Sequence, residues 1–381
     1  MAALLVAISH LRALFFVEFA QSAHRGGATR LLYLITGLGH EAVMVFFVLS
    51  GFLISSSVFR SVQAGRWSWA TYMLNRLTRL YVVLIPALLL CALWDLCGTR
   101  LLSNAGVYTG ASAYSHMALG VVAHQDTLRV WLGNLFFLQG VRVPTFGSDG
   151  PLWSLSYEFW YYALFPLGLL ALRPKTSTRA RMVCLALALL ILALIGKTIA
   201  LYFLVWLMGT AVSALPSSRL GRSQIFLVAS GLAFGASLVL SRLHSSEVRW
   251  PTDFLIGLTF SSLVYCLVSS RVVTHAWYDK GARFLSGVSY SLYLVHVPLL
   301  VFLSAWIIRR GVLWQPDAKH LAAAVGIGAL IMLYTCLIWR FTEARTEEIR
   351  RVIAGRWHLN AIPKMHVSVG EDTKEVETVS Q

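Results

Sequence analysis

Long apolar runs, separated by short polar or basic turns, fill the chain from its first residue to about position 341. The first run reaches about Ala20, carries His10, Arg12 and Glu18 inside it, and is short on its N-terminal side. The turn His24-Arg25-Gly26-Gly27 leads to a second run, about 39–58, whose continuous part from Ala42 to Val58 crosses a bilayer with help from its flanks. Ser50-Gly51 cuts that run with small residues that permit close helix contact or a local kink. A third run covers about 80–98. The segment 99–150 is mixed, and its one apolar patch, VWLGNLFFLQG, is too short to span and reads as re-entrant or interfacial. The fourth run follows Pro151. Basic RPKTSTRAR separates it from the fifth and sixth, about 182–199 and 201–215, which are joined by almost nothing. Runs seven to ten fall near 224–241, 254–270, 285–308 and 320–341. The pattern predicts an all-α, polytopic integral membrane protein of about ten transmembrane helices. Residues 1–343 form its transmembrane domain and 344–381 a cytoplasmic polar tail, with no internal repeat and no room for a second globular domain.

Composition agrees with this class. Of 381 residues 57% are hydrophobic and 13% charged, and the mean hydropathy is +0.68. A soluble protein this apolar would not stay in solution. The start, MAALLVAISH, has neither a basic n-region nor a small-residue cleavage site, so no cleavable signal is expected. A formal charge of +15 would suggest nucleic acid as the partner of a soluble protein. Here it reads as cytoplasmic loops rich in Lys and Arg, with membrane lipids as the surroundings and no nucleic-acid partner. Alternating ten spans from a cytoplasmic N-terminus puts Arg60–Arg79, Arg173–Arg181, Arg219/Arg222, Arg271–Arg283 and the Arg345–Arg356 tail on one side. The opposite loops hold Arg25/Arg30, the arginines of 99–150, Arg242/Arg249 and Arg309/Arg310. The first set is richer in its short loops, which favours N-in/C-in. The five cysteines lie in or beside apolar runs and form no CxxC pair, so neither a metal site nor a disulfide framework is expected.

Ionisable groups inside spans are costly and are functional candidates by default. His10 leads them: a neutral imidazole can take a proton from an attacking hydroxyl near neutral pH, or can simply be a packing histidine bonded to a neighbour. Arg12 and Glu18 read as interfacial groups or mutual partners. Arg76 and Arg79, three apart after the second run, share one helix face and can grip a phosphate-rich anion together. Glu158 lies one turn inside a helix starting near Pro151, where it could orient an imidazole or stabilise the helix N-terminus. Trp153, Trp160, Tyr161 and Tyr162 fit an interfacial aromatic belt and could equally stack on sugar rings. His296, beside Pro298 in mid-span, suggests a cavity-lining kink. Glu343 closes the tenth run beside Arg340 and Arg345. Walker, HExxH and GxSxG sequences are missing, which argues against ATPases, zinc proteases and hydrolases of those kinds.

Five stretches together, ALLVAISH, FFVLSGFLI, NRLTRLY, PLWSLSYEFWYYALFP and SYSLYLVHVPLL, resemble the acyltransferase-3 family of integral membrane O-acyltransferases, in the family's order and over nearly the whole chain. The resemblance implies that His10 is the catalytic base and that Arg76 and Arg79 hold an acyl-CoA donor. It matches Ser50-Gly51-Phe52 to the family's SGFL element, Glu158 to its WSLxxE glutamate, here a catalytic candidate, and Glu343 to the glutamate closing the last span. Ser50, Gly51, Trp153, Tyr161, Tyr290, His296 and Glu343 are the expected substrate-binding residues. The family usually has an arginine eleven residues before the first-span histidine, a position that falls before Met1, so either the true start lies upstream or that arginine is missing. Val82 and Arg345 stand where the family often has Pro. The chain resembles the stand-alone members, with no hydrolase domain after the tenth span.

The resulting expectation is a multi-pass protein of the bacterial cytoplasmic (inner) membrane, an O-acetyltransferase in its expected form. It would move an acyl group from cytoplasmic acetyl-CoA, or another acyl-CoA, to a hydroxyl of a lipid-linked or exopolysaccharide glycan, with no permanently bound cofactor and no metal. Glu158 and His296 would line the acceptor side. A polytopic transporter or flippase of lipid-linked sugars is the alternative, and it leaves the paired arginines unexplained. An inactive scaffold relative is a third reading, kept open by the missing arginine.

Overall fold

Hydrocarbon offers a backbone no hydrogen-bond partners, so apolar stretches of this length satisfy their peptide groups internally as helices. The computed structural model describes residues 2–111, 114, 122–243, 248–270, 276–308 and 311–356. Its helices are α1 Ala2–Phe15, α2 Gly27–Thr36, α3 Gly39–Gln63, α4 Trp69–Leu101, α5 Gly106–Thr109, α6 Val122–Gln125, α7 Leu128–Leu135, α8 Leu152–Leu172, α9 Thr178–Ala214, α10 Gln224–Leu243, α11 Trp250–Ser270, α12 Ala276–Ile307, α13 Ala318–Phe341 and α14 Thr346–Arg356. Polar residues at the loop edges fix several starts. The side chains of Ser68, Thr127, Ser177 and Asp317 each accept the backbone N–H three residues on, opening α4, α7, α9 and α13. Among the described residues the only extended pairings are two isolated bridges, so the chain is an all-α polytopic protein.

Among the described residues seven stretches are long and apolar enough to cross a membrane, counting α2 with α3 and α13 with α14. The expectation of ten spans maps onto these seven together with α1, α8 and a division of α9. At 14 residues α1 is short for a span. The length of α8 suffices, but its aromatic and polar side chains dilute its hydropathy. Within α9, Gly196 adopts φ 76°, ψ 173°, outside helical geometry. The contacts show what this does. Arg181 on the first arm reaches the carbonyl of Ala171 at the end of α8. On the second arm Tyr202 meets Tyr157, and Trp206 meets Phe165. The first arm therefore runs back along α8 and the second runs parallel to it, a helical hairpin turned on one glycine, matching the two runs expected at 182–199 and 201–215.

Relative directions follow in the same way. Phe47 meets Tyr157 and Phe59 meets Phe165, so α3 and α8 are parallel. Ser50 bonds Trp206 and Ser55 bonds Ser213, which sets α3 parallel to the second arm of α9. These two come close enough that a Cβ added to Gly51 would collide with the carbonyl of Trp206, and one added to Gly209 with that of Val48. Close helix contact, not a kink, is what Gly51 provides. α12 runs parallel to α1, through His10–His296 and Ser304–Leu14, and to α4, through Tyr290–Leu80 and Trp94–Phe302.

The patch VWLGNLFFLQG forms α7 and a return loop tucked between α4 and α8. Tyr81 of α4 donates to the carbonyl of Leu135. Phe137 has a positive φ of 57°, and its carbonyl is held by Ser156 and by the Trp160 indole. The polar tail begins as a helix, since α14 packs back on α4. Arg271, Arg309, Arg310 and residues 357–381 lie outside the described residues.

Candidate active site

His10 and His296 meet where α1 and α12 run side by side. Nδ1 of His10 lies 2.9 Å from Nε2 of His296, with near-parallel rings 5.1 Å apart. Nδ1 of His296 lies 2.8 Å from the carbonyl oxygen of Leu292. A carbonyl only accepts, so that nitrogen carries the hydrogen. In the neutral ring Nε2 of His296 then accepts, and His10 donates from Nδ1. Nε2 of His10 is left with its lone pair and has no protein partner among the described residues. The tautomers are assigned from these partners. His296 is fully buried, whereas His10 is partly exposed. α1 thus presents this nitrogen to whatever approaches it. Around the pair, the Tyr293 ring lies 6.4 Å from that of His296, and its hydroxyl joins Ser154 and the Pro151 carbonyl at the start of α8.

The second cluster lies deeper along α8. Glu158 is buried and accepts from Ser50 at 3.3 Å and from Tyr162. Ser50 in turn accepts from the Trp206 indole at 3.2 Å. The Arg76 guanidinium sits over the rings of Tyr72 and Tyr162, at 5.6 and 5.8 Å. That of Arg79 sits over Tyr290 at 6.0 Å. Glu343 accepts from the backbone and side chain of Ser291, at 3.0 and 2.8 Å. Glu158 and Glu343 both act on Arg79 through their charge, yet among the described residues neither arginine has a carboxylate within ion-pair distance. Arg79 is exposed, and Nε of Arg76 is buried without a partner. Two cations backed by aromatic faces, with no carboxylate in direct contact among the described residues, suit an incoming anion.

The residues named from sequence therefore fall into two groups. His10 and His296 form one. Arg76, Arg79, Ser50, Glu158, Tyr290 and Glu343 form the other. Glu158 does not orient an imidazole: its partners are Ser50 and Tyr162, and the partner of His10 is His296. The aromatic-belt reading also fails for Tyr161 and Tyr162, which are buried, the first bonded to the Ile199 carbonyl and packed on Phe47, Phe203 and Trp206. Trp153 is half-buried, near-parallel to the ring of His40 and edge-on to Tyr157. Gly51 is closed against α9. Arg12, expected at an interface or beside Glu18, stacks on the Tyr33 ring at 5.1 Å while also feeling the charge of Glu18.

Two polar constellations escape the sequence reading. Asp253, fully buried at the start of α11, is bonded by His40 and Tyr202. Asp95 on α4 accepts from the backbone and hydroxyl of Ser148, both at 2.7 Å, beside Cys91. Each aspartate stands inside or at the edge of an apolar run, which is the signal that singled out His10 and that applies to them equally. Among the described residues no three metal-ligating side chains converge.

No curated protein and no solved structure matches the chain. The family model described as an acyltransferase domain, acyltransferase-3, matches residues 1–340, a stretch that contains both histidines and the arginine pair. The chain belongs to the acyltransferase-3 family, and it is a multi-pass membrane acyltransferase by that membership.

Proposed function

We propose that the protein is an O-acyltransferase, in its simplest form an O-acetyltransferase, that moves an acyl group from acyl-CoA to a saccharide hydroxyl. The acceptor is a lipid-linked or growing surface glycan, and the setting is a bacterial inner membrane. One observation carries the reading: a partly exposed imidazole lies in the same bundle as an arginine pair, and among the described residues its Nε2 has no protein partner and the arginines have no carboxylate in direct contact. The arginines suit the phosphates of CoA. Nε2 of His10 suits the chemistry, either taking the acceptor's proton or carrying the acyl group transiently. Glu158 holds Tyr162, one of the rings under Arg76, and Glu343 holds Ser291, the neighbour of the Tyr290 ring under Arg79. Membership of an acyltransferase family favours transfer over the transport of lipid-linked sugars.

The test is labelled acetyl transfer from acetyl-CoA into extractable glycan, using membranes that contain this chain or its His10→Ala variant. Transfer by the first and loss of about 10²-fold or more in the second is the expected result. Undiminished transfer by the variant, at equal abundance in the membrane, would remove His10 from the mechanism.

A further inference from the structure

A third histidine in this bundle carries a carboxylate partner that His10, among the described residues, lacks. His40 opens α3, and its Nε2 lies 3.1 and 3.0 Å from the two carboxylate oxygens of Asp253. Asp253 is 1% exposed and also accepts from the Tyr202 hydroxyl at 2.5 Å. A carboxylate accepts, so Nε2 of His40 carries the hydrogen and Nδ1 holds the lone pair. The ring is 26% exposed on its side chain and lies near-parallel to Trp153, with centroids 6.1 Å apart.

Its place in the bundle is equally specific. His40 and Arg60 are twenty residues apart on α3, about 30 Å along the axis, so His40 stands at the end away from the basic cluster. Ser9 packs against Gly39, which sets His40 beside the turn of α1 that bears His10. On α8, Trp153 precedes Glu158 by five residues, about 8 Å. An acyl group delivered from the arginines and an acceptor entering from the opposite end would meet at this level.

We propose that the His40–Asp253 pair is the base for the acceptor, a saccharide hydroxyl whose ring lies against Trp153; this rests on the acyl-transfer reading above. The two imidazoles differ in their partners. His10 is bonded to a second imidazole and to no carboxylate among the described residues. His40 is bonded directly to a buried carboxylate that orients the ring and can accompany the proton it receives. In the step, the hydroxyl oxygen forms a bond to the acyl carbon, and the bond from that carbon to its carrier breaks. The electron pair stays on the carrier, either the CoA sulfur or Nε2 of His10. The hydroxyl proton passes to Nδ1 of His40. That proton is later released to water, from which the CoA thiolate takes one to leave as the thiol. His10 is then free to act on the acyl group.

The experiment compares two acceptors in purified protein reconstituted in nanodiscs with labelled acetyl-CoA. One is a set of octyl glycosides (glucoside, galactoside and mannoside), whose hydroxyls must be deprotonated. The other is hydroxylamine, whose nitrogen attacks without prior deprotonation. In His40→Ala the ratio of glycoside to hydroxylamine acetylation should fall about 100-fold. Asp253→Asn, which keeps a polar partner for the ring, should lower the same ratio about tenfold and covers the case in which His40→Ala fails to fold. A ratio unchanged within threefold in a folded variant overturns the assignment, because a purely structural tie between α3 and α11 would slow both acceptors alike. Wild-type protein that acetylates hydroxylamine and no glycoside also overturns it. Failure with every acceptor would instead sink the acyl-transfer reading itself.

Discussion

At the scale of single residues, the decisive feature is a chain of hydrogen bonds that ends on a backbone carbonyl. Leu292 fixes the tautomer of His296, His296 fixes that of His10, and the free lone pair of His10 follows. On the acyl-transfer reading His296, fully buried and bonded to His10, would be a positioning residue that acts through it. His296→Ala should therefore lower kcat for acetyl transfer roughly ten- to hundredfold while leaving the apparent KM for acetyl-CoA within twofold, since a lost orienting partner affects the chemical step alone. His296→Gln offers an amide oxygen to Nδ1 of His10 and should recover part of the rate. Steady-state kinetics of both variants check this. A KM effect equal to the kcat effect would show that His296 shapes the donor site instead. His10, Arg76 and Arg79 were legible in sequence because costly groups in or beside apolar runs stand out. The partner of His10 was not, because 286 positions separate it from His296 and only the parallel packing of α1 on α12 brings them together. Glu158 illustrates the converse. Its type and position pointed to chemistry, and its two hydroxyl partners place it in the supporting shell of the arginines.

At the scale of elements, small residues decide how closely helices approach. Gly51 and Gly209 face backbone carbonyls across the α3–α9 contact, and a backbone cannot swing aside as a flexible side chain can. Gly51→Ala should destabilise the protein by about 1–3 kcal/mol or more, read as a lowered Tm in detergent. Gly168 supplies the contrast. It lies in α8 with open space where a Cβ would go, so Gly168→Ala should be neutral or stabilising by up to about 1 kcal/mol. Equal losses at both sites would mean that the α3–α9 approach is looser than described. Gly196 tests the hairpin within α9: its positive φ is strained for any L side chain, so Gly196→Ala should cost about 1 kcal/mol or more although nothing crowds the site. The apolar runs made most of these elements readable. Where they misled, the reason was local: α8 spends its length on aromatics that are bonded inside the bundle rather than at an interface, and the mixed segment 99–150 owes its return loop to bonds from α8 and α4 that no local pattern records.

At the scale of the whole molecule, the arrangement is polar from end to end. Arg60 closes α3, Arg76 and Arg79 open α4, and Glu343 follows α13, all at one end, whereas His40 and Asp253 start their helices at the other. If the end with the richer arginine loops is the cytoplasmic one, as the loop charges lead one to expect, donor and acceptor should reach the protein from opposite faces. Sealed vesicles of defined orientation test this directly. Inside-out vesicles expose the arginine end and should use added acetyl-CoA, while right-side-out vesicles, to which acetyl-CoA is impermeant, should use it only after permeabilisation. Arg76→Ala and Arg79→Ala should each raise the apparent KM for acetyl-CoA in the inside-out vesicles roughly ten- to hundredfold, the loss expected for one charge-assisted contact of about 1.5–3 kcal/mol. Neither should alter the response to acceptor concentration. Equal use of added acetyl-CoA by both vesicle types, with the arginine variants unimpaired, would mean that the donor enters elsewhere and that the arginine pair serves another anion. Sidedness with unimpaired variants would keep the orientation and discard the arginines as the donor clamp. Only the combination of sidedness with a selective KM effect joins the charge pattern of the loops to the aromatic-backed cations inside the bundle.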